Sequence, residues 1–145
     1  MTDFASVNDL RRIYAETKTI AVVGASPDTN KAAGFVPRYL KEQGYRIVPV
    51  NPGHEEILGE ICYPTLLDVP DEVDVVDVFR PGAEAPEVAI SAAAIGAKVF
   101  WMQLEVVSEE AAAIAAEAGM TVVMDRCMGQ MHAKLGLGPG PRHGD

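Results

Sequence analysis

The chain has 145 residues, 48% of them hydrophobic and 23% charged, an ordinary composition for a single globular domain. Its formal net charge is −9 and it contains no run of lysine or arginine. It therefore lacks the clustered basic face that a nucleic-acid partner needs. The two cysteines, Cys62 and Cys127, form no CxxC pair and no His/Cys cluster, which argues against a zinc site.

The amino terminus, MTDFASVNDLRR, carries acidic residues before any apolar stretch and so does not resemble a signal peptide. No apolar run reaches the roughly 18 residues that a membrane-spanning helix needs. These features predict a cytoplasmic protein with reduced thiols and no membrane partner.

Helical and apolar segments alternate along the chain. Amphipathic spacing predicts a lead-in helix over residues 7–17, and the β-branched apolar run 19–23 predicts a strand buried on both faces. Four further strands are predicted at 45–50, 73–79, 98–102 and 121–124. The remaining helices are predicted at 30–43, 84–95, 108–118 and 126–135, with only a short helical turn at 65–68.

Strands that alternate with helices predict right-handed crossovers and a mostly parallel sheet. We expect one α/β domain over residues 1–145, a doubly wound sheet of about five parallel strands in the order 3-2-1-4-5 with helices on both faces. The switch point, where ligands bind in such sheets, would then lie between the first and fourth strands. The Gly/Pro-rich residues 136–145 are predicted to form a disordered tail.

Two prolines conflict with this arrangement. Pro37 lies inside the predicted helix 30–43, so that helix is expected to kink or to begin there. Pro49 lies near the end of a strand that the proposed order places inside the sheet, where proline loses a ladder hydrogen bond. We therefore expect Pro49 at the last, unpaired position of its strand or at a bulge.

The loop after the first strand has the features of an anion site. Gly24 allows a sharp turn and a close approach of the backbone to a ligand, and Ser26 offers a hydroxyl. The helix predicted from about Asn30 presents free N–H groups and the positive end of its dipole, and Lys31 can reach a phosphate. The plainer interpretation is that any such turn favours a glycine and that a lone lysine is usually solvated.

The same loop departs from a dinucleotide-binding motif. The G-x-G-x-x-G pattern has Ser26 in place of its second glycine and Thr29 in place of its third. Asn51 follows the second strand, where a nicotinamide site favours an acidic residue for the ribose hydroxyls. Because Asn51 is neutral, it favours a phosphorylated ribose, as in coenzyme A (CoA). NADP remains open on these residues.

Three segments together resemble a known family: TIAVVGASPDTNKAAGFVPRYLKEQGYRIVPVNP, then VDVVDVFRP, then GAKVFWMQLEVVSEEAAAIAAEAGMTVVMDRC. Their order and content are similar to the stand-alone CoA-binding proteins, which resemble the amino-terminal CoA-binding domain of the succinyl-CoA synthetase alpha subunit. The resemblance covers about residues 5–135 and implies a Rossmann-like fold with CoA across the strand ends. The chain departs from the family at Pro37 and at Met131, which leaves the local geometry of two helices open.

The resemblance implies a set of contacts, grouped by the part of CoA they meet. They are Gly24, Ala25, Ser26 and Lys31 at the phosphates; Val50, Asn51 and Pro52 at the adenosine; Phe79, Arg80 and Pro81 along the path to the pantetheine arm; and Trp101, Met102 and Gln103 opposite that path.

No sequence feature predicts catalysis. The histidines, His54, His132 and His143, have no nucleophile beside them in sequence and are interpreted as surface or capping residues. Cys127 is predicted at a helix start, where its thiol pKa can fall and a mixed disulfide with CoA is conceivable, but an inert half-buried thiol is the simpler interpretation.

The leading hypothesis is non-catalytic binding of CoA or an acyl-CoA. One alternative is an NAD(P)-dependent oxidoreductase or redox sensor on the same fold. Another is an interaction subunit that completes a ligase in trans, and homo-oligomer formation also stays open.

Overall fold

The structure is a computed structural model, and it describes residues 5–139. Its centre is a parallel sheet built from five strands: β1 (Thr19–Val23), β2 (Arg46–Val50), β5 (Val75–Val78), β6 (Val99–Met102) and β7 (Thr121–Val123). A separate antiparallel pair is formed by β3 (Glu56–Ile57) and β4 (Glu60–Ile61). All five predicted strands are confirmed, with ends shifted by a few residues at most.

Helices cover both faces of the sheet, as predicted. They are α1 (Val7–Glu16), α2 (Ala32–Glu42), α3 (Ala85–Ala94), α4 (Glu109–Glu117) and α5 (Met128–Lys134), with 3-10 turns at Leu66–Asp68 and Gly82–Glu84. The first, second and fifth helices share one apolar core with the sheet, and the third and fourth share the other. The doubly wound, Rossmann-like α/β fold is therefore confirmed.

The predicted strand order is wrong. The sheet runs β2-β1-β5-β6-β7, which is 2-1-3-4-5 in the order of the five predicted strands and not 3-2-1-4-5. β2 is an edge strand, and β5 pairs with the other side of β1. The switch point therefore lies between β1 and β5, so the loops after these two strands meet there.

Pro49 explains why β2 lies at the edge. Its carbonyl accepts a hydrogen bond of 3.0 Å from the N–H of Tyr63, outside the sheet, so the position where its own N–H would be points outward as well. β2 therefore needs no neighbouring strand on that side, and the backbone N–H that Pro49 lacks is not required for a hydrogen bond within the sheet. Pro49 lies one residue before the end of β2, opposite Val22, and not at the last position or at a bulge.

Pro37 neither begins α2 nor interrupts it, since the helix starts at Ala32 and continues to Glu42. A proline at this position cannot donate to the carbonyl of Ala33, one turn earlier. That carbonyl instead accepts a hydrogen bond of 3.0 Å from the N–H of Ser26. The proline thus frees an acceptor that ties the loop after β1 to the helix.

Ser108 caps α4 by accepting from the N–H of Ala111 at 3.0 Å, and the predicted short turn at 65–68 is a single 3-10 turn. Of the predicted disordered tail, Leu137 packs against the core, and residues 140–145 lie outside the described residues.

Candidate functional site

The loop after β1 turns at Gly24, where it touches the loop after β5. Gly24 has a φ of +89°, and a Cβ there would lie 2.9 Å from Arg80 Cδ and 3.3 Å from the carbonyl oxygen of Phe79. A side chain would therefore be strained and would push the two loops apart. The glycine at the start of the predicted phosphate loop is required by both backbone conformation and packing.

Hydrogen bonds within the loop hold it in a tight turn. Ser26 Oγ accepts from the N–H of Asp28 at 3.1 Å, and Asp28 Oδ1 accepts from the N–H of Asn30 at 2.9 Å. Gly34, in the first turn of α2, packs on this loop so closely that a Cβ would overlap the carbonyl oxygen of Asp28. The start of α2 is thereby fixed against the turn.

The amino end of α2 offers the free donors of this loop. Among the described residues, the N–H groups of Ala32 and Ala33 have no hydrogen-bond partner, and the helix dipole favours an anion beside them. Lys31 is exposed at the N-cap, where its ammonium can approach the same anion. The N–H of Ser26 is not available, because it donates to Ala33.

Asn51 connects the end of β2 to the loop. Its Nδ2 donates to the carbonyl of Ala25 at 2.8 Å, and its Oδ1 accepts from the N–H of Gly53 at 2.8 Å. Ala25 itself is fully buried. Both ends of the Asn51 amide are thus engaged within the protein, so this side chain holds the loop after β1 against the end of β2.

A cleft of about 270 Å³, the first cleft, opens on the α3 side of the Gly24 contact. Gly24, Val50, Pro52 and Arg80 from the predicted set line it, together with Pro64, Thr65, Leu66, Glu84, Glu87 and Val88. Arg80 forms an ion pair with Glu84 at 2.7 Å, and both side chains are nearly half exposed. The cleft thus joins apolar surface from the prolines and Val88 to one cation, Arg80, and to the carboxylates of Glu84 and Glu87.

A second cleft, of about 210 Å³, opens on the other side of the same contact. Its lining is mostly apolar and comprises Ala32, Phe35, Phe79, Gln103, Leu104, Val106, Cys127 and Gln130. The successive residues Phe79 and Arg80 therefore lie in different clefts, with the Gly24 turn between them. The amide of Gln103 donates from Nε2 to Asp77 Oδ1 at 2.6 Å.

Seven predicted contact residues line neither cleft. Four of them, Ala25, Ser26, Lys31 and Asn51, belong to the loop region described above, and the other three are Pro81, Trp101 and Met102. Trp101 is fully buried, and its Nε1 donates to the carbonyl of Arg126 at 2.8 Å. Met102 is fully buried on the opposite face, and Pro81 caps a 3-10 turn on the surface. Neighbouring residues of a strand point to opposite faces, and both faces of β6 are covered by helices. The side chains of Trp101 and Met102 therefore cannot reach a ligand in this structure.

Comparison with known proteins identifies the family. A model of the CoA binding domain matches residues 18–133. The chain belongs to the CoA-binding domain family. YneT of Bacillus subtilis is 37% identical over 125 residues, which are 86% of this chain and 93% of that protein. A solved structure of a hypothetical protein from Pyrococcus horikoshii is 42% identical, with a TM-score of 0.88 over 93% of this chain and 97% of that one.

Larger proteins contain the same domain. The acetate–CoA ligase (ADP-forming) II of Archaeoglobus fulgidus is 39% identical over 95 residues, which are 64% of this chain and 14% of the ligase. The chain thus corresponds to a small part of that enzyme. The predicted resemblance to CoA-binding domains, including those of CoA ligases, is confirmed.

Sequence reasoning missed three features of this CoA-binding domain. The prediction that His132 is a surface or capping residue is wrong, because it is buried against the rings of Tyr14, Tyr39 and Tyr45, with its Nδ1 2.8 Å from the Tyr39 hydroxyl. The close packing of Gly34 on the loop was also missed, although a glycine inside a predicted helix is a visible signal of such a contact. A charged residue, Asp77, stands in a strand whose neighbours are all valine, which is a visible sign of a buried polar site.

Within residues 5–139, no group of three His, Cys, Asp or Glu side chains is placed to hold a metal ion. None of the described helices is long and apolar enough to cross a bilayer.

Proposed function

We propose that this chain binds CoA, free or acylated, without transforming it. The observation that carries the proposal is the pair of clefts on the two sides of the Gly24 contact, with the free N–H groups of Ala32 and Ala33 beside them. The diphosphate lies over this loop, near Lys31. The adenosine occupies the first cleft, and the pantetheine arm runs through the second.

The chemistry of each cleft matches its part of the ligand. The first cleft combines the flat apolar surfaces of Val50, Pro52 and Pro64 with Arg80, which suits an adenine ring and a ribose phosphate. The second cleft is apolar with a few amides, which suits an uncharged arm that carries two amide groups. The net charge of −9 does not oppose this, because local N–H donors and cations decide the binding of a small anion.

An acylated ligand has room beyond the second cleft. A third cleft of about 230 Å³ lies between α2 and α5 and shares Phe35, Cys127 and Gln130 with the second. Its lining is almost entirely apolar. An acyl group on the thiol of CoA would enter it.

The reactive groups near the clefts support the proposal of binding without catalysis. The Ser26 hydroxyl accepts from the loop backbone, and no base touches it among the described residues. Cys127 is buried at the start of α5 and likewise has no base beside it there. The ligase reaction of the longer relatives is not proposed for this chain alone.

A thermal unfolding titration tests the proposal. CoA at 100 times its dissociation constant should stabilise the protein by about 2.7 kcal/mol, whereas NAD and NADP at the same concentrations should not. Acetyl-CoA and longer acyl-CoA molecules are titrated in parallel, and the comparison of their stabilising effects with that of CoA shows whether the protein prefers an acylated thiol end. No stabilisation by millimolar CoA would refute the proposal, and stabilisation by NADP alone would favour the oxidoreductase alternative.

A further inference from the structure

Asp77 is a buried carboxyl group with a single partner. It lies in β5, fully buried, beside Trp101 of the neighbouring strand. Gln103 Nε2 donates to its Oδ1 at 2.6 Å, and its Oδ2 has no partner among the described residues. Removal from water raises the pKa of Asp77 to about 7, and the Gln103 hydrogen bond only partly opposes that rise. A buried acid of this kind destabilises a fold, so folding alone does not explain it.

The other end of the Gln103 amide faces the second cleft. Gln103 lines that cleft, and its Oε1 makes no hydrogen bond within the described residues. Gln103 is only 3% exposed, but its Oε1 is not among the fully enclosed side-chain atoms that lack a partner, so this oxygen reaches the wall of the cleft. The cleft therefore presents a hydrogen-bond acceptor at a fixed place among apolar side chains.

We infer that Asp77 is a positioning residue that selects the ligand through Gln103. By accepting from the NH₂ group, the Asp77 carboxylate keeps the amide oxygen of Gln103 directed into the second cleft. The cleft then favours a ligand that donates a hydrogen bond there, and the amide N–H groups of a pantetheine arm are such donors. This inference rests on the proposed function.

The physical basis is the two-fold rotation of a terminal amide. An unrestrained glutamine amide turns readily about its last torsion and presents either its oxygen or its NH₂ group. A carboxylate can only accept, so it permits one of the two orientations. Without it, the preference of the cleft for a donor is lost, and an NH₂ group directed at a ligand N–H becomes unfavourable.

The test measures the contribution of the arm by comparing dissociation constants. Isothermal titration at pH 8 gives each variant's dissociation constants for CoA and for adenosine 3′,5′-bisphosphate, which lacks the arm. The advantage of CoA is the dissociation constant of the bisphosphate divided by that of CoA. Asp77→Val should lower the advantage of CoA about 5- to 10-fold and leave binding of the bisphosphate within 2-fold. Gln103→Leu should do the same, and the double variant should lose no more than either alone.

Two further variants complete the design. Asp77→Asn keeps the shape of the side chain but offers both an oxygen and an NH₂ group, so it permits both orientations and should lower the advantage of CoA about 2- to 3-fold. Gln130→Leu removes another amide at the second cleft, one that forms no hydrogen bond with Asp77 among the described residues, and its effect should simply add to that of Asp77→Val. If Asp77→Val fails to fold, Asp77→Asn still tests the inference.

Several results would overturn the inference. These are an unchanged ratio in Asp77→Asn or Gln103→Leu, equal losses for CoA and the bisphosphate, or additive effects of Asp77→Val and Gln103→Leu. Failure of the proposed function gives a different result, because the wild-type protein would then bind neither CoA nor the bisphosphate.

Discussion

The two ends of the parallel sheet treat their polar groups differently. At the amino end, the Asp74 carboxylate accepts from the N–H groups of Lys18 and Thr19 at 2.9 and 3.0 Å and pairs with Lys98 at 3.4 Å. At the carboxyl end, the first N–H groups of α2 are free and two clefts are open. The protein itself satisfies these polar groups at the amino end, and at the carboxyl end it leaves N–H donors that we propose a ligand takes.

The same contrast separates two aspartates three residues apart. Asp74 is partly exposed and has three donors, whereas Asp77 is fully buried and has one. The arrangement of Asp74 is the one expected of a carboxylate that stabilises the fold. The arrangement of Asp77 is not, which is why we assign it a role in ligand binding. Substitutions at the two ends should therefore separate stability from ligand binding.

Asp77→Asn should give the largest change, an increase in stability that depends on pH. Because the pKa of Asp77 is raised to about 7, the folded wild-type protein keeps a proton that the unfolded chain has lost between about pH 4 and 7. The free energy of unfolding of the wild type therefore falls across that range, and asparagine removes this fall. Urea unfolding should show almost no advantage for the variant at pH 4 and an advantage of about 4 kcal/mol at pH 8. A difference independent of pH would contradict the buried acid.

Gly34→Ala should destabilise the carboxyl end directly. The added Cβ would overlap the carbonyl oxygen of Asp28, which is backbone and cannot move aside cheaply. We expect a loss of about 2 to 3 kcal/mol in urea unfolding, together with weaker CoA binding, because the turn must open. Gly53→Ala is the matched control, since its Cβ would meet only Asn51 Oδ1 at 3.4 Å. Equal effects of the two changes would show that the turn is not close-packed.

Asp74→Ala should destabilise the fold and spare the site. Two backbone donors and Lys98 lose their acceptor, which should lower the free energy of unfolding by about 2 kcal/mol. The affinity for CoA, measured by titration calorimetry below the unfolding temperature, should remain within 2-fold. A large loss of affinity would mean that the two ends are coupled through β5.

Arg80→Gln should weaken CoA binding and leave the stability of the fold almost unchanged. Arg80 lines the first cleft and pairs only at the surface with Glu84, so its removal should change stability by less than about 0.5 kcal/mol. CoA affinity should fall about 10-fold at low salt and less at high salt, because the lost interaction is screened. Arg12→Gln, which breaks the similar pair with Asp9 at the amino end, should leave the affinity unchanged.

The elements of the fold could be predicted from sequence, but their order could not. Apolar runs and amphipathic spacing are local features, and they placed the strands and helices correctly. The order depended on where the irregular segment 51–72 returns to the sheet. Pro49 carried the relevant information, because its missing donor requires an edge strand, and it was interpreted as an exception to an order that buried it.

The turn of the candidate site was predictable because backbone geometry decides it. Gly24 needs its conformation whatever the fold around it, whereas Trp101 and Met102 could not be assigned from sequence. They belong to an apolar strand covered on both faces, where strand position alone does not show which side chains reach the open end. Gln103 was predicted as a contact, whereas Asp77 behind it was missed. The reason is the same, because the depth at which a side chain is buried depends on tertiary packing.

An amide NMR titration with CoA tests most directly whether the ligand lies across the carboxyl end of the sheet. We predict saturable shifts confined to residues 24–36, 50–53, 64–66, 79–91, 103–106 and 127–130, with no change around Lys18, Asp74 and Lys98. Shifts centred on the amino end, or none at millimolar CoA, would contradict the account.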